Sequence, residues 1–297
     1  MSKLSSFNLQ IFVPDGDPDG LRIVERSNWS GKAVMFPRAL YIEVRKRAEF
    51  KQPGVYLLLG PRADGEGDAI YVGEGDPVFD RFESHYANNE FWTRAVFFVA
   101  GLGLLNKAHV QYLEAQLINR AKAAKRTPLQ NKNTPAKPTL SEADEAYMDV
   151  FLENMLGILP VLGIHAFKPS PSLSAATKSP VFTCQGRGVK ATGYDTPEGF
   201  VVTAGSFAAS DEVPSLVEHF PHICKLRADL KKSGVLVPDG DKLRFTQDYT
   251  FSSPSTASDA VLGRSSNGRV DWKDANGKSL KELQEEQAKG GQREAAE

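Results

Sequence analysis

Cysteine is nearly missing from this chain: its 297 residues hold two, Cys184 and Cys224, far apart and without a neighbouring cysteine or histidine at zinc-ligand spacing. That excludes a disulfide framework and a thiolate zinc site, and leaves thiols suited to a reducing compartment. Histidine is scarce too, at five residues. His219 and His222 flank Phe220-Pro221 and invite reading as a metal pair, but no further ligand accompanies them, so a structural or surface role is expected. Neither sign of charge is in excess, because 36 Lys and Arg stand against 37 Asp and Glu. A protein that grips nucleic acid by overall charge is thereby excluded. Any such contact has to come from local patches, at 45–47, at 120–126 with Lys132 and Lys137, or at 225–232, each of which reads first as a solvated helix face. No apolar run approaches the ~20 residues of a membrane-spanning helix, since the longest, 95–105, is interrupted by glycines. The N-terminus has no charged segment followed by an apolar core and a small-residue cleavage site, so a cytoplasmic protein without membrane contact is expected. No repeat of the solenoid kind is visible.

What is present is ordinary for a soluble protein, with 41% hydrophobic and 25% charged residues, and the length suits two modest domains of α+β type. Gly54-Val55-Tyr56 and Tyr71-Val72-Gly73 each sit at the edge of a short apolar run. Residues 55–59 and 69–72 read as strands joined by a polar, glycine-containing turn at 60–68, which puts both tyrosines on one hairpin. Asp76-Pro77 reads as a cap and first-turn proline. On the helix that follows, Arg81 and His85 are four residues apart and share a face. A second helix, 109–125, carries Val110, Leu113, Leu117, Ile118 and Ala121 as its apolar stripe, with Glu114 inside that stripe. A buried, unpaired carboxylate costs several kcal/mol, so Glu114 is expected either to meet Arg81 as an ion pair or to hold a metal.

In type and order, Gly54, Tyr56, Tyr71, Gly73, Arg81, His85, Glu114 and Asn131 resemble the GIY-YIG endonuclease family, over roughly residues 53–133. Valine replaces both isoleucines of the name, which keeps the β-branched strand character. The resemblance implies a small mixed or antiparallel sheet flanked by helices. It also implies a metal-dependent endonuclease acting on DNA, with RNA left open, in restriction, repair or defence.

The chemistry of phosphodiester hydrolysis accounts for such a set: it must deliver a deprotonated water, neutralise charge growing on the phosphate and stabilise the departing alkoxide. Glu114 is the carboxylate expected to hold Mg²⁺ or another divalent cation such as Mn²⁺, because such ions keep waters and phosphate oxygens around one or two carboxylates. Arg81 offers a permanently charged planar fork to the phosphate. Tyr71 hydrogen-bonds phosphate or water. The base is either Tyr56, whose phenol with an ordinary pKa near ~10 would need a neighbouring cation, or His85. Asn131 completes the implied catalytic set, with Asn133 two residues on in the same loop.

Around this region, residues 1–50 are expected to be an N-terminal extension packed on a nuclease domain at 51–167. The extension holds strands at 9–13 and 21–25, an acidic turn at 14–20 that lacks a calcium ligand ladder, and a helix after Pro37. Ser141 caps a helix through Tyr147, Phe151 and Met155. A linker is read at 168–180 from its Pro, Ser and Ala content, and a disordered tail at 284–297. Between them, 181–283 form a second small α+β domain. It has strands at 188–194 and 199–204, a helix at 214–233, Ser253 as a helix cap before Pro254, and Asn267-Gly268 as a tight hairpin turn. This segment is similar to a restriction-enzyme and adenine-methylase associated (RAMA-like) module, which implies DNA contact by Arg264, Asn267 and Lys273 with Trp272 as a packing or stacking surface. The alternative function is a catalytically inactive nucleic-acid-binding or protein-adaptor protein on the same scaffold.

Overall fold

Residues 54–60 are buried without alternation, so both faces of that strand must be covered. The computed structural model describes residues 6–62, 68–101, 103–168 and 180–286. The chain divides into two units, on either side of Lys168. In the first, β1 (Leu9–Phe12), β2 (Arg22–Arg26), β3 (Gly31–Pro37), α1 (Tyr41–Val44), β4 (Gly54–Pro61), β5 (Asp68–Gly75), α2 (Val78–Asn88), β6 (Arg94–Ala100), α3 (Lys107–Ala124) and α4 (Glu142–Ile158) follow one another. Six antiparallel strands form one sheet in the order β1-β2-β3-β6-β4-β5.

Side chains of β4 alternate between two cores, as a period of two requires. Val55, Leu57 and Leu59 pack with Leu113, Leu117, Met148 and Phe151 of α3 and α4. Tyr56 and Leu58 pack with Tyr41, Val78 and Phe82 of α1 and α2. The sheet is therefore a middle layer between two pairs of helices, in an α+β arrangement.

The N-terminal residues do not lie on this sheet; they complete it. Strand β3, absent from the expectation for residues 1–50, pairs with β6 along its whole length, Gly31 opposite Ala100 to Pro37 opposite Arg94. Its mixed sequence, Gly-Lys-Ala-Val-Met-Phe-Pro, hides the strand because both faces are covered and no alternation of polarity survives. Helix α4 begins at Ser141, whose side chain accepts from the Asp144 backbone N–H, as expected.

The second unit holds β7 (Val181–Gly186), β8 (Val189–Thr196), β9 (Gly199–Val202), β10 (Phe207–Ala209), α5 (Pro214–His219), α6 (Pro221–Lys232), β11 (Leu236–Asp239), β12 (Lys242–Phe245), β13 (Tyr249–Phe251), α7 (Pro254–Leu262), α8 (Gly268–Asp271) and β14 (Trp272–Lys273). Its strands form antiparallel sheets β13-β9-β8-β7-β14 and β10-β12-β11. The single helix expected at 214–233 is two, broken at Phe220 (φ −132°, ψ 53°) because the residue before a proline is pushed out of the helical region. Ser253 caps α7 by accepting from the Thr256 N–H, and Pro254 is its first residue. Most of the expected linker, 169–179, and the tail 287–297 lie outside the described residues; Gln284 to Glu286, assigned to that tail, are helical. Among the described residues no helix is long and apolar enough to cross a membrane.

Candidate active site around the edge strand

Strand β5 is the edge of the six-stranded sheet, and the residues singled out from the sequence gather around it from both faces. Register places Tyr56 opposite Gly73 and Tyr71 opposite Leu58. The two tyrosines thus lie on the α2 face, with ring centroids 6.3 Å apart. Gly73 is required by packing: a Cβ there would stand 2.3 Å from both Cζ and Oη of Tyr56. Gly54 is held similarly, by the Phe98 carbonyl oxygen 2.5 Å from where its Cβ would be.

Helix α2 begins directly after this strand, and Pro77 occupies the cap position itself, with no side-chain cap bond. The expected capping role of Asp76 is therefore not met, since Pro77 takes the extended conformation (ψ 164°) that the capping residue needs. One turn in, Arg81 is exposed and makes no ion pair among the described residues. One turn further, His85 Nε2 lies 2.8 Å from the Tyr56 hydroxyl. The His85 ring also packs edge-on against Tyr71, at 4.9 Å. Burial, with the Arg81 charge adding to it, holds the His85 pKa below its ordinary value. Burial pushes the buried Tyr56 phenol well above the ordinary range, with the Arg81 charge opposing. Tyr71 is raised as well, by burial and then by the charge of Glu114. The surroundings of Tyr56 thus stabilise the phenol, not the phenolate.

Glu114 approaches the same edge from α3, on the opposite face of the sheet. It is half-buried, and burial followed by the nearby Glu74 charge pushes its pKa up to about 7, against the pull of Arg81 and Lys107. The ion pair with Arg81 allowed by the sequence is not formed among the described residues. A second carboxylate, Glu74, acts on Glu114 from the strand. Glu74 is buried on β5 and takes both of its hydrogen bonds from Lys107 Nζ, at 2.7 Å each. Its signal was available: a glutamate between Gly73 and Gly75 in an otherwise buried strand must have a cationic partner.

No group of three or more His, Cys, Asp or Glu suited to a metal occurs among the described residues. A half-buried carboxylate with no ion-pair partner and a proton affinity raised to neutrality does fit a hard cation that keeps its waters and phosphate oxygens.

Asn131 is bonded through its side-chain amide to the edge strand. Its Oδ1 accepts from Val72 N–H at 2.9 Å and its Nδ2 donates to the Val72 carbonyl at 2.8 Å. Just before it, Ile70 N–H donates to the Pro128 carbonyl and Gln130 N–H to the Ile70 carbonyl, at 2.9 and 2.7 Å. The segment thus occupies the exposed edge of β5, and the Asn131 amide prolongs that pairing as a substitute peptide group. A cleft of about 570 Å³ opens beside it, lined by Tyr71, Glu114, Asn131, Gln130, Asn133 and Phe91 among others.

In the second unit, of the two roles open to Trp272, packing or stacking, it is the core packing that the structure shows. It is fully buried, packs on Phe200 at 4.6 Å and donates its indole N–H to the Pro254 carbonyl at 2.9 Å. Asn267-Gly268 is no hairpin turn; Asn267 precedes α8, and Gly268 is needed because a Cβ would lie 2.1 Å from the Pro254 carbonyl oxygen. Arg264 faces Asp271 at 3.5 Å, while Asn267 and Lys273 are exposed. Cys184 is buried, with its thiol pushed up to about 12 by desolvation.

Residues 182–284 match the model of a family described as Domain of unknown function (DUF4357). No curated protein and no solved structure matches the chain.

Proposed function

We propose that the first unit is a metal-dependent, GIY-YIG-type endonuclease hydrolysing DNA. The observation that carries this reading is the convergence, around one strand edge, of Arg81 from one face and Glu114 from the other, neither in an ion pair among the described residues, with Tyr71 between them and a Tyr56–His85 pair behind. Opposite charges near one strand edge, with Glu114 lining an open cleft, suit a ligand that brings both an anionic phosphate and a cation.

Arg81 binds the scissile phosphate through its fixed fork of donors and opposes the charge that grows there. Tyr71 hydrogen-bonds the phosphate or the attacking water. A phenol as reluctant to ionise as Tyr56 acts as a base only if its own proton has somewhere to go. His85, kept neutral, offers that acceptor at 2.8 Å, so Tyr56 takes a proton from water while passing its own to His85 Nε2. Glu114 would hold Mg²⁺ or Mn²⁺, which when bound supplies charge stabilisation at the phosphate. Asn131 and Gly73 position the strand and the ring and touch no reacting atom.

The second unit is read as a nucleic-acid-associated module of RAMA-like type, with Arg264, Asn267 and Lys273 as the residues able to reach DNA and Trp272 withdrawn from that set. The test of the catalytic reading is cleavage of labelled DNA by the full chain in Mg²⁺ and in chelator. Glu114→Ala and Arg81→Ala should each lose about 10²–10³-fold in rate, with Arg81→Lys restoring little. Near-wild-type cleavage by Glu114→Ala would remove the metal assignment.

A further inference from the structure

The cleft beside Glu114 is larger and differently built than holding a phosphate alone would require. At about 570 Å³ it falls within the ~300–1,000 Å³ of small-ligand sites. Charge is sparse in it, with Glu114 and Lys132 the charged residues that line it. Its other lining residues include two that carry amides, Gln130 and Asn133, and two that carry aromatic rings, Phe91 and Tyr71. Among the described residues no hydrogen bond engages the side chains of Gln130 or Asn133, both of which are exposed. The main chain carrying them is nonetheless fixed, because Gln130 N–H is bonded to Ile70 and the Asn131 amide to Val72. Free amides on a fixed main chain, with aromatic rings lining the same space, are what recognises the edge and face of a nucleobase.

Building on the nuclease reading, we propose that this cleft is a base subsite that takes one unpaired nucleobase next to the scissile phosphate. The preferred substrate is then DNA interrupted by an unpaired nucleotide, not continuous duplex. A paired base has its hydrogen-bonding edge occupied and its faces stacked on its neighbours, so neither the amides nor the rings could engage it. An unpaired base is free at both. Tyr71 and Glu114 line the cleft as well as the proposed catalytic site, which makes the bound base adjacent to the bond being cut.

The experiment uses the full chain carrying Glu114→Gln, and a duplex with a single unpaired 2-aminopurine compared with the same duplex fully paired. Affinity is read by anisotropy and base stacking by 2-aminopurine emission. We expect about ten-fold or tighter binding of the unpaired form, the size of effect that stacking one base supplies, together with a several-fold fall in emission at saturation. Adding Phe91→Leu, or Gln130→Ala with Asn133→Ala, should bring the affinity ratio towards one and recover the emission. Equal affinities with unchanged emission, or no binding of either duplex, would overturn the subsite. Cleavage by the unsubstituted protein separates the two readings. Equal cleavage of both duplexes in Mg²⁺ leaves the nuclease standing and removes the subsite. A bound, quenched base with no cleavage of either duplex removes the nuclease and keeps the subsite.

Discussion

Replacing Gly73 by alanine tests the packing that sets the proposed site. The added Cβ would lie 2.3 Å from Tyr56 Cζ and Oη, whereas ordinary contacts begin at 3.4 Å, so the ring has to move by about an ångström. Tyr56 is fully buried and packs on Phe82, with centroids 5.0 Å apart, so the displacement cannot be absorbed by empty space. Overpacking of this kind costs about 1–3 kcal/mol in stability. The hydrogen bond to His85, now 2.8 Å, would open beyond bonding distance, and a misplacement of about 1 Å is worth on the order of 10²-fold in rate. The assay is a double-mutant cycle of urea denaturation with Tyr56→Ala, alongside cleavage kinetics of the folded Gly73→Ala protein. Once the ring is gone, the Gly73→Ala cost should fall by about 1–3 kcal/mol, since the two residues are in contact. Additive costs would show that the ring is not what excludes a side chain at 73. An unchanged cleavage rate would show that the position of Tyr56 is not used.

Glu114 titrates near pH 7 in the folded chain, above its ordinary value, so the folded state holds the extra proton and stability should fall as pH rises from about 4.5 to about 7. Glu114→Gln should flatten that slope and be relatively more stable at pH 8 than at pH 5; parallel profiles for the two proteins would refute the burial argument. Asn131→Ala removes both side-chain bonds to Val72 and should cost about 1–3 kcal/mol while speeding hydrogen exchange at Val72, and unchanged exchange there would mean that the edge pairing needs no amide. Trp272→Ala should destabilise the second unit by about 3–5 kcal/mol. Any loss of DNA binding should then follow unfolding, so a folded Trp272→Ala protein with selectively weakened binding would contradict the core assignment.

Local chemistry made several elements readable from the chain alone. The hairpin, the helix carrying Arg81 and His85, the Ser141 and Ser253 caps and the apolar stripe of α3 each depend on residues a few positions apart, and periodicity and capping report such separations directly. The helix break at Phe220 was equally local and was missed although Pro221 marks it. Strand β3 had no such signal, because a strand covered on both faces shows no alternation; its pairing with β6, Gly31 opposite Ala100 to Pro37 opposite Arg94, joins segments far apart in the chain.

For the candidate site, the residue types and their order were legible, but their arrangement was not. Nothing local states that Arg81 and Glu114 reach one strand edge from opposite faces, that Glu74 is neutralised by Lys107, or that the Asn131 amide is occupied by Val72. The same holds for Trp272, whose aromatic side chain suits a core and a surface equally until Pro254 and Phe200 close around it. The sequence by itself determined which groups are present and which local elements carry them. Only the tertiary structure decided which charges stay unpaired, because desolvation and long-range pairing are fixed when the sheet edge, both helices and the 128–131 segment come together.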